Sequence, residues 1–393
     1  KDLTWLGVKP HVFAKQSDRL DRYKDAIELL KARGHLYPCY ETPDELDFKR
    51  KRQLARGEPP IYDRAALTLS DAEKAALEAQ GIMPHWRFKL MDADVSWQDG
   101  IRGTVLFQGR NMSDPVLIKT DGQPVYTLAS VVDDIDFKMT DIIRGEDHVT
   151  NSAVQLQIFM ALGGSLQSIR LSHFSLITNA TGQGFSKREG SLSLKTLAES
   201  GLDPMTIVSL IARLGTSTQI HPTHNMQELI DEFRLDHFSR SSPKFDPNDL
   251  MKLNQTLLNH MPYEVARERL SADQLRHVTP QLWQAIQGNI TQIAQVDEWI
   301  DIVQNGPKPM QVVIDKMVIQ KALDCYPAEE IFDEQTWSSW TSMICEAAGI
   351  KGKALYLPLR LALTGVQHGP QMQLLLPIIG ADSARKRLED ALS

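Results

Sequence analysis

Leu20, Tyr23, Ile27 and Leu30 recur at three- and four-residue spacings, which predicts a helix with one buried stripe. Ser17 is placed to cap its start and Gly34 to end it. The period then changes. Residues 44–56 read as a charged helix opened by Thr42-Pro43. Trp86, Phe88 and Leu90 alternate with Arg87 and Lys89, a half-buried strand. Residues 104–107 and 115–119 are further strands, and Asp121-Gly122 marks a hairpin turn. Ile142-Ile143 reads as a buried strand that ends on Arg144. Residues 151–162 predict a helix with Val154, Ile158 and Leu162 as its stripe, Thr150 or Asn151 as its cap and Gly163-Gly164 as its stop. Arg170 to Ile177 is a short apolar strand. Asp203 followed by Pro204 starts another helix, carrying Ile207, Ile211 and Leu214. From residue 262 to 393 the stripes keep a helical period, with almost no alternation.

Strands and helices alternate in the first half and helices alone fill the second. That order predicts an α/β region followed by an all-α region. With 393 residues and 42% hydrophobic content, the chain can bury about two or three cores. No apolar run approaches the roughly 20 residues of a membrane span, and no signal peptide or internal repeat is visible. Cys39, Cys325 and Cys345 are too far apart for a CxxC pattern. A cytoplasmic protein is expected. The net charge of −7 does not advertise nucleic acid, so an RNA partner would need local basic patches.

The densest candidate chemistry lies in residues 178–193. Gly182, Gly184 and Gly190 bracket a polar loop bearing Lys187 and Arg188 beside Ser186. Adjacent cations and a hydroxyl on such a loop suit phosphate oxygens. A solvated surface loop with a basic tip fits the same residues. The spacing is not that of a Walker A loop. Arg144 stands at the carboxyl end of its strand, where open α/β sheets bind ligands, and an Arg fork there can hold a carboxylate. The competing reading pairs Arg144 with Asp133 or Asp134. His221 and His224 flank Pro222 with no third ligand nearby, which favours loop histidines over a metal site.

Phe185-Ser186-Lys187-Arg188 after a strand resembles the KMSKS-type signature of class I aminoacyl-tRNA synthetases. The wider Gly-Phe-Ser-Lys-Arg-Glu-Gly-Ser-Leu-Ser resembles bacterial glutamyl-tRNA synthetases, although Gly184 stands where the motif has its first lysine. Further matches are Leu3-Thr4-Trp5-Leu6-Gly7, Gln16-Ser17-Asp18-Arg19, Tyr126 to Asp134, Ile142 to His148, Phe245 to Asn254 and Pro358 to Gly365. Tyr62-Asp63-Arg64 resembles a Tyr-Asp-x-Arg segment with its arginine one place early. No HIGH-like tetrapeptide occurs, and the chain looks like a fragment that lacks about one βαβ unit of ~30 residues or more.

The resemblance implies a Rossmann-like nucleotide domain, with residues 1–35 from its first half and 124–195 from its second. It implies an α+β connective insertion over 36–123, a stem-contact helical region over 196–261 and an anticodon-binding helical domain over 262–393. It implies ATP with Mg2+ as a substrate complex, met by Lys187, Arg188, Ser186, the backbone of Leu176 and Ile177, and nearby His173. Tyr126, Arg144, Ser130 and His148 would hold glutamate. Glutamate's α-carboxylate would attack the α-phosphate, pyrophosphate would leave, and a ribose hydroxyl of tRNA would take the acyl group. Some members bind zinc in the insertion through several Cys and His residues; this chain offers Cys39 alone, so no metal is expected. Gln287-Gly288-Asn289-Ile290-Thr291 stands where discriminating members use an arginine to read the anticodon, which hints at tRNA-Gln beside tRNA-Glu. A monomer is expected. Two other readings stay open: a tRNA-binding protein that no longer catalyses, and an unrelated ATP-using kinase or ligase with a basic flap.

Overall fold

The computed structural model describes residues 1–184, 193–308 and 314–393. A short helix α1 (Asp2–Trp5) and a 3-10 turn (Gln16–Arg19) lead into α2 (Leu20–Ala32). Tyr23, Ala26, Ile27 and Leu30 form its buried stripe, and Gly34 follows it at φ +74. Leu20 lies 48% exposed, because the tighter turn before it shifts the helical phase. Ser17 sits in that turn and bonds Asp18 instead of capping the helix.

Next come β1 (Leu36–Cys39), α3 (Pro43–Ala55), α4 (Asp71–Ala79), β2 (His85–Phe88), β3 (Val95–Asp99), β4 (Gly103–Phe107) and β5 (Val116–Ile118). Helix α3 opens on a reciprocal Thr42–Glu45 capping box and buries none of its residues. Strands β1, β2 and β5 form an antiparallel sheet with β2 in the middle. Arg87, expected on the wet face of β2, is buried. Its guanidinium lies over the Tyr62 ring and donates to the Asp114 carbonyl at 2.6 Å.

The chain then runs through α5 (Tyr126–Asp136), β6 (Asp141–Gly145), α6 (Val149–Ala161) and β7 (Arg170–Phe174). The second sheet has the order β4-β3-β7-β6, with β3, β7 and β6 parallel. Asp99 at the end of β3 pairs with Leu171 of β7, and β4 joins the sheet through β3. Ile143 was expected to be buried and is 48% exposed, since β6 is the outer strand of the sheet among the described residues. Helix α6 buries nearly every side, Ser152, Gln155 and Gln157 included. It begins at Val149 with His148 at the cap position, and neither Thr150 nor Asn151 caps it. One core joins α2, α5, α6 and both sheets, with Leu30, Phe88, Leu117, Leu128 and Ile158 at its centre.

Strand β8 (Thr178–Asn179) is followed by α7 (Leu194–Glu199), α8 (Pro204–Arg213), α9 (Met226–Glu232), β9 (Lys244–Phe245) and α10 (Pro247–Asn259). Asp203 caps α8 by accepting from the Met205 amide at 2.8 Å. Parallel pairing of β8 with β9 ties the end of the α/β region to the helices. Beyond Phe245 the described residues contain helices and turns and no strand, packed around Trp283 and Trp340. The architecture is a Rossmann-like α/β region with an all-helical carboxyl part. No helix among the described residues is long and apolar enough to cross a membrane.

Candidate functional site

The carboxyl ends of β6 and β7 bring the chemistry together. Arg144 and His173 are Cα partners in the parallel ladder, so their side chains leave the same face of the sheet. Helix α6 sets Ser152 between them. Arg144 Nη2 donates to Ser152 Oγ at 2.7 Å, and that oxygen is 2.7 Å from His173 Nε2 and 3.0 Å from the His148 carbonyl. His173 Nδ1 meets Asp99 Oδ2 at 2.5 Å, and both side chains are fully buried.

Burial alone would raise the Asp99 carboxyl. Hydrogen bonds from His173, the Arg102 and Ile101 amides and the Trp97 indole outweigh it and hold the group down at about 2. Burial also lowers His173 below its ordinary value, against the pull of Asp99. The pair is therefore a neutral imidazole donating from Nδ1 to a carboxylate. No surface of His173 is left to meet a nucleotide, and the expected place beside ATP gives way to one behind Arg144.

Arg144 does not form the ion pair that was its alternative. Asp133 is occupied by Arg19 at 2.8 Å, the Tyr23 hydroxyl at 2.9 Å and Gln16 at 3.1 Å, which accounts for the Gln-Ser-x-Arg motif. Asp134 influences Arg144 by charge without bonding it. Burial lowers the guanidinium's affinity for its proton, and Tyr126 opposes this. Nε of Arg144 is buried and has no hydrogen-bond partner among the described residues.

Tyr126, at the start of α5, is 53% exposed and meets the His148 ring edge-on at 6.1 Å. Ser130, one turn on, accepts from Gln155 Nε2 at 2.6 Å. Tyr126 and His148 are thus in ring contact, and α6 holds Ser130 through Gln155 and Arg144 through Ser152. Arg102 pairs with Glu146 at 2.6 Å, and Glu146 accepts the Leu176 amide at 3.2 Å. Leu176 is exposed, while Ile177 turns toward an apolar pocket of about 290 Å³ with Phe174, Ile211 and Phe238. Ser186, Lys187 and Arg188 lie outside the described residues. Before them, Asn179 organises a tight turn through its side chain and Gly182 at φ +83; after them, Ser193 caps α7.

Asp99 and Ser152 were missed by sequence reasoning. Asp99 ends a short strand, and its partner is 74 residues away. Among the described residues, two metal-type clusters were also hidden. Cys39 is joined by Glu41 and His85, and His221 by Glu228 and Glu232, with ligand atoms within 4.8 Å of one another. Neither set fits a structural zinc, which takes four donors. Glu41 accepts the Tyr62 hydroxyl at 2.7 Å and faces Lys49 at 3.5 Å. Glu232 pairs with Arg213, and Glu228 accepts from Thr223.

Residues 1–252 match the family described as "tRNA synthetases class I (E and Q), catalytic domain", and residues 252–392 match "Anticodon binding domain". A protein of Azospirillum brasilense named glutamate–tRNA ligase is 48% identical over 389 residues, covering 99% of this chain and 86% of the relative. Glutamate–tRNA ligase 1 of Rhodospirillum rubrum is 46% identical over 387 residues, covering 98% and 85%. The fold is similar to that of a glutamate tRNA ligase from Elizabethkingia meningosepticum solved in complex with its amino acid. Its TM-score is 0.78 at 23% identity, covering 100% of this chain and 88% of that one. The match across both regions, with relatives near half identity over almost the whole chain, shows that this chain belongs to the glutamate–tRNA ligases, a family of class I aminoacyl-tRNA synthetases.

Proposed function

We propose that the protein activates glutamate with Mg-ATP and passes it to the 3′ end of tRNA-Glu. The observation that carries this is Arg144. Its guanidinium sits at the carboxyl edge of a parallel strand, anchored at Nη2 and unsatisfied at Nε. A buried unpaired donor on a cation is costly unless a carboxylate completes it. In this reading Arg144 and Tyr126 grip glutamate while Ser130 and His148 line the pocket. The Leu176-Ile177 backbone meets adenine, and Lys187, Arg188 and Ser186 close over the phosphates. Positioning and charge stabilisation then do most of the catalysis. The domain division set out above remains part of the proposal, as does tRNA-Gln as a second acceptor. For the latter, Gln287–Asn289 forms an open 3-10 turn with nothing within 4 Å of a side chain built at Gly288.

The test is aminoacylation of purified tRNA-Glu and tRNA-Gln by the full-length protein with labelled glutamate. ATP-dependent glutamylation of tRNA-Glu is expected. Failure to charge either tRNA would sink the proposal, and charging of tRNA-Glu alone would remove its second acceptor.

A further inference from the structure

Behind Arg144 the polar groups form a single file: Arg144 Nη2, Ser152 Oγ, His173 Nε2 and Nδ1, then Asp99. The three charged or ring members come from the neighbouring strands β6, β7 and β3, and α6 supplies the hydroxyl. Asp99 is held by more than the imidazole. Its Oδ1 accepts the Ile101, Arg102 and His173 amides at 3.0–3.1 Å. Gly100 permits this approach, because a Cβ there would meet Ser172 Oγ at 2.3 Å.

The file has a direction. A carboxylate accepts only, so Nδ1 of His173 must be the protonated nitrogen and Nε2 must accept. Ser152 has one proton to give, to Nε2 at 2.7 Å or to the His148 carbonyl at 3.0 Å, and Nε2, which must accept, is the nearer. Its lone pair is then turned toward Arg144, whose Nη2 donates to it. Serine at this place adds to what alanine would pack only a hydroxyl, which bonds the His173 ring and the Arg144 guanidinium.

We infer that Asp99, His173 and Ser152 are positioning residues that aim the Arg144 fork at the substrate carboxylate. Asp99 fixes the tautomer of His173, His173 fixes the hydroxyl of Ser152, and Ser152 fixes the rotamer of Arg144. This leaves Nε of the guanidinium without a partner among the described residues. None of the three touches substrate. The inference rests on Arg144 holding glutamate, and the experiment separates the two.

In the full-length protein, aminoacylation kinetics are measured at varied glutamate and at varied ATP for Ser152→Ala, Ser152→Thr, Asp99→Asn and Arg144→Lys. Thermal unfolding is followed alongside. Ser152→Ala removes a hydrogen bond to a charged group and should raise the glutamate KM roughly tenfold or more. Its kcat and its KM for ATP should stay within about threefold of the parent. Asp99→Asn should move the same constant in the same direction by less. Ser152→Thr, which keeps the hydroxyl, should restore it. If Arg144→Lys raises the glutamate KM while Ser152→Ala leaves it unchanged, the positioning file is wrong and the glutamate pocket stands. If Ser152→Ala lowers kcat and raises every KM alike, or Ser152→Thr fails to rescue, the file is structural and the inference falls. If Arg144→Lys leaves the glutamate KM unmoved, the pocket itself is misplaced.

Discussion

Arg64 forks onto Asp114, with Nε at 2.9 Å and Nη2 at 3.0 Å from the two oxygens of a carboxylate that is 1% exposed. The same carboxylate accepts the Tyr37 hydroxyl at 2.6 Å and the Leu90 amide at 3.0 Å. Arg64 holds φ +57, a left-handed conformation that costs a non-glycine residue about 1–2 kcal/mol. Burial, with the hydrogen bond to Asp114, pushes the Tyr37 phenol far above its ordinary range. Asp114→Ala would strand a guanidinium, a phenol and an amide together. The expected loss is about 3–5 kcal/mol, concentrated in the β1-β2-β5 sheet and visible as earlier hydrogen exchange of its amides. Unchanged protection of Leu36–Cys39 would contradict it.

Along the chain Lys187 falls between the Asn179 turn and the Ser193 cap, outside the described residues. The proposed function gives it the neutralisation of charge on the leaving phosphates. Lys187→Ala should slow adenylate formation roughly 10²–10³-fold, the scale of one lost transition-state donor. Single-turnover measurement reads this directly, and a loss below about threefold removes the role.

What the sequence revealed depended on how far each partner lies along the chain. Gly34 after α2 and Asp203-Pro204 before α8 are local signals, and both stand where expected. Arg144 at the end of β6 was legible for the same reason. Leu20 misled because a 3-10 turn precedes its helix. Arg87 misled because alternation marks an exposed face only where nothing covers it, and Tyr62 lies over that face. Arg64 seemed one place early in its motif; the left-handed backbone there redirects its side chain to Asp114. Asp99 carried no local signal at all, since its meaning lies in β7. Separation along the chain likewise hid His85 from Cys39.

That last cluster bears on zinc. Burial pushes the Cys39 thiol up to about 11, and Lys49 and Arg87 bring positive charge to its rim. With three donors and two nearby cations, the site should hold no stoichiometric zinc. Elemental analysis after dialysis should read well below one equivalent per chain, and a chelator should leave thermal unfolding in place. One tightly held equivalent, lost together with stability on chelation, would reverse this.

Asp134 sets a pH dependence opposite to that of Asp99. Burial pushes its carboxyl from 3.8 to about 6, with Asp133 adding to the rise and Arg144 opposing it. The folded state therefore holds this proton more tightly than the unfolded chain. Between about pH 4 and 6 the native state binds more protons, so stability from this group falls as pH rises and the cost is complete above that window. Asp99, held at about 2, instead contributes stability above its unfolded value that is lost as pH falls toward 2. Asp134→Asn keeps the shape and removes the charge. It should stabilise the protein at pH 8 by on the order of 2 kcal/mol, and hardly at all at pH 4. Urea midpoints at the two pH values check this; an equal gain at both, or a loss at pH 8, would show that the ionised carboxylate is compensated in the fold.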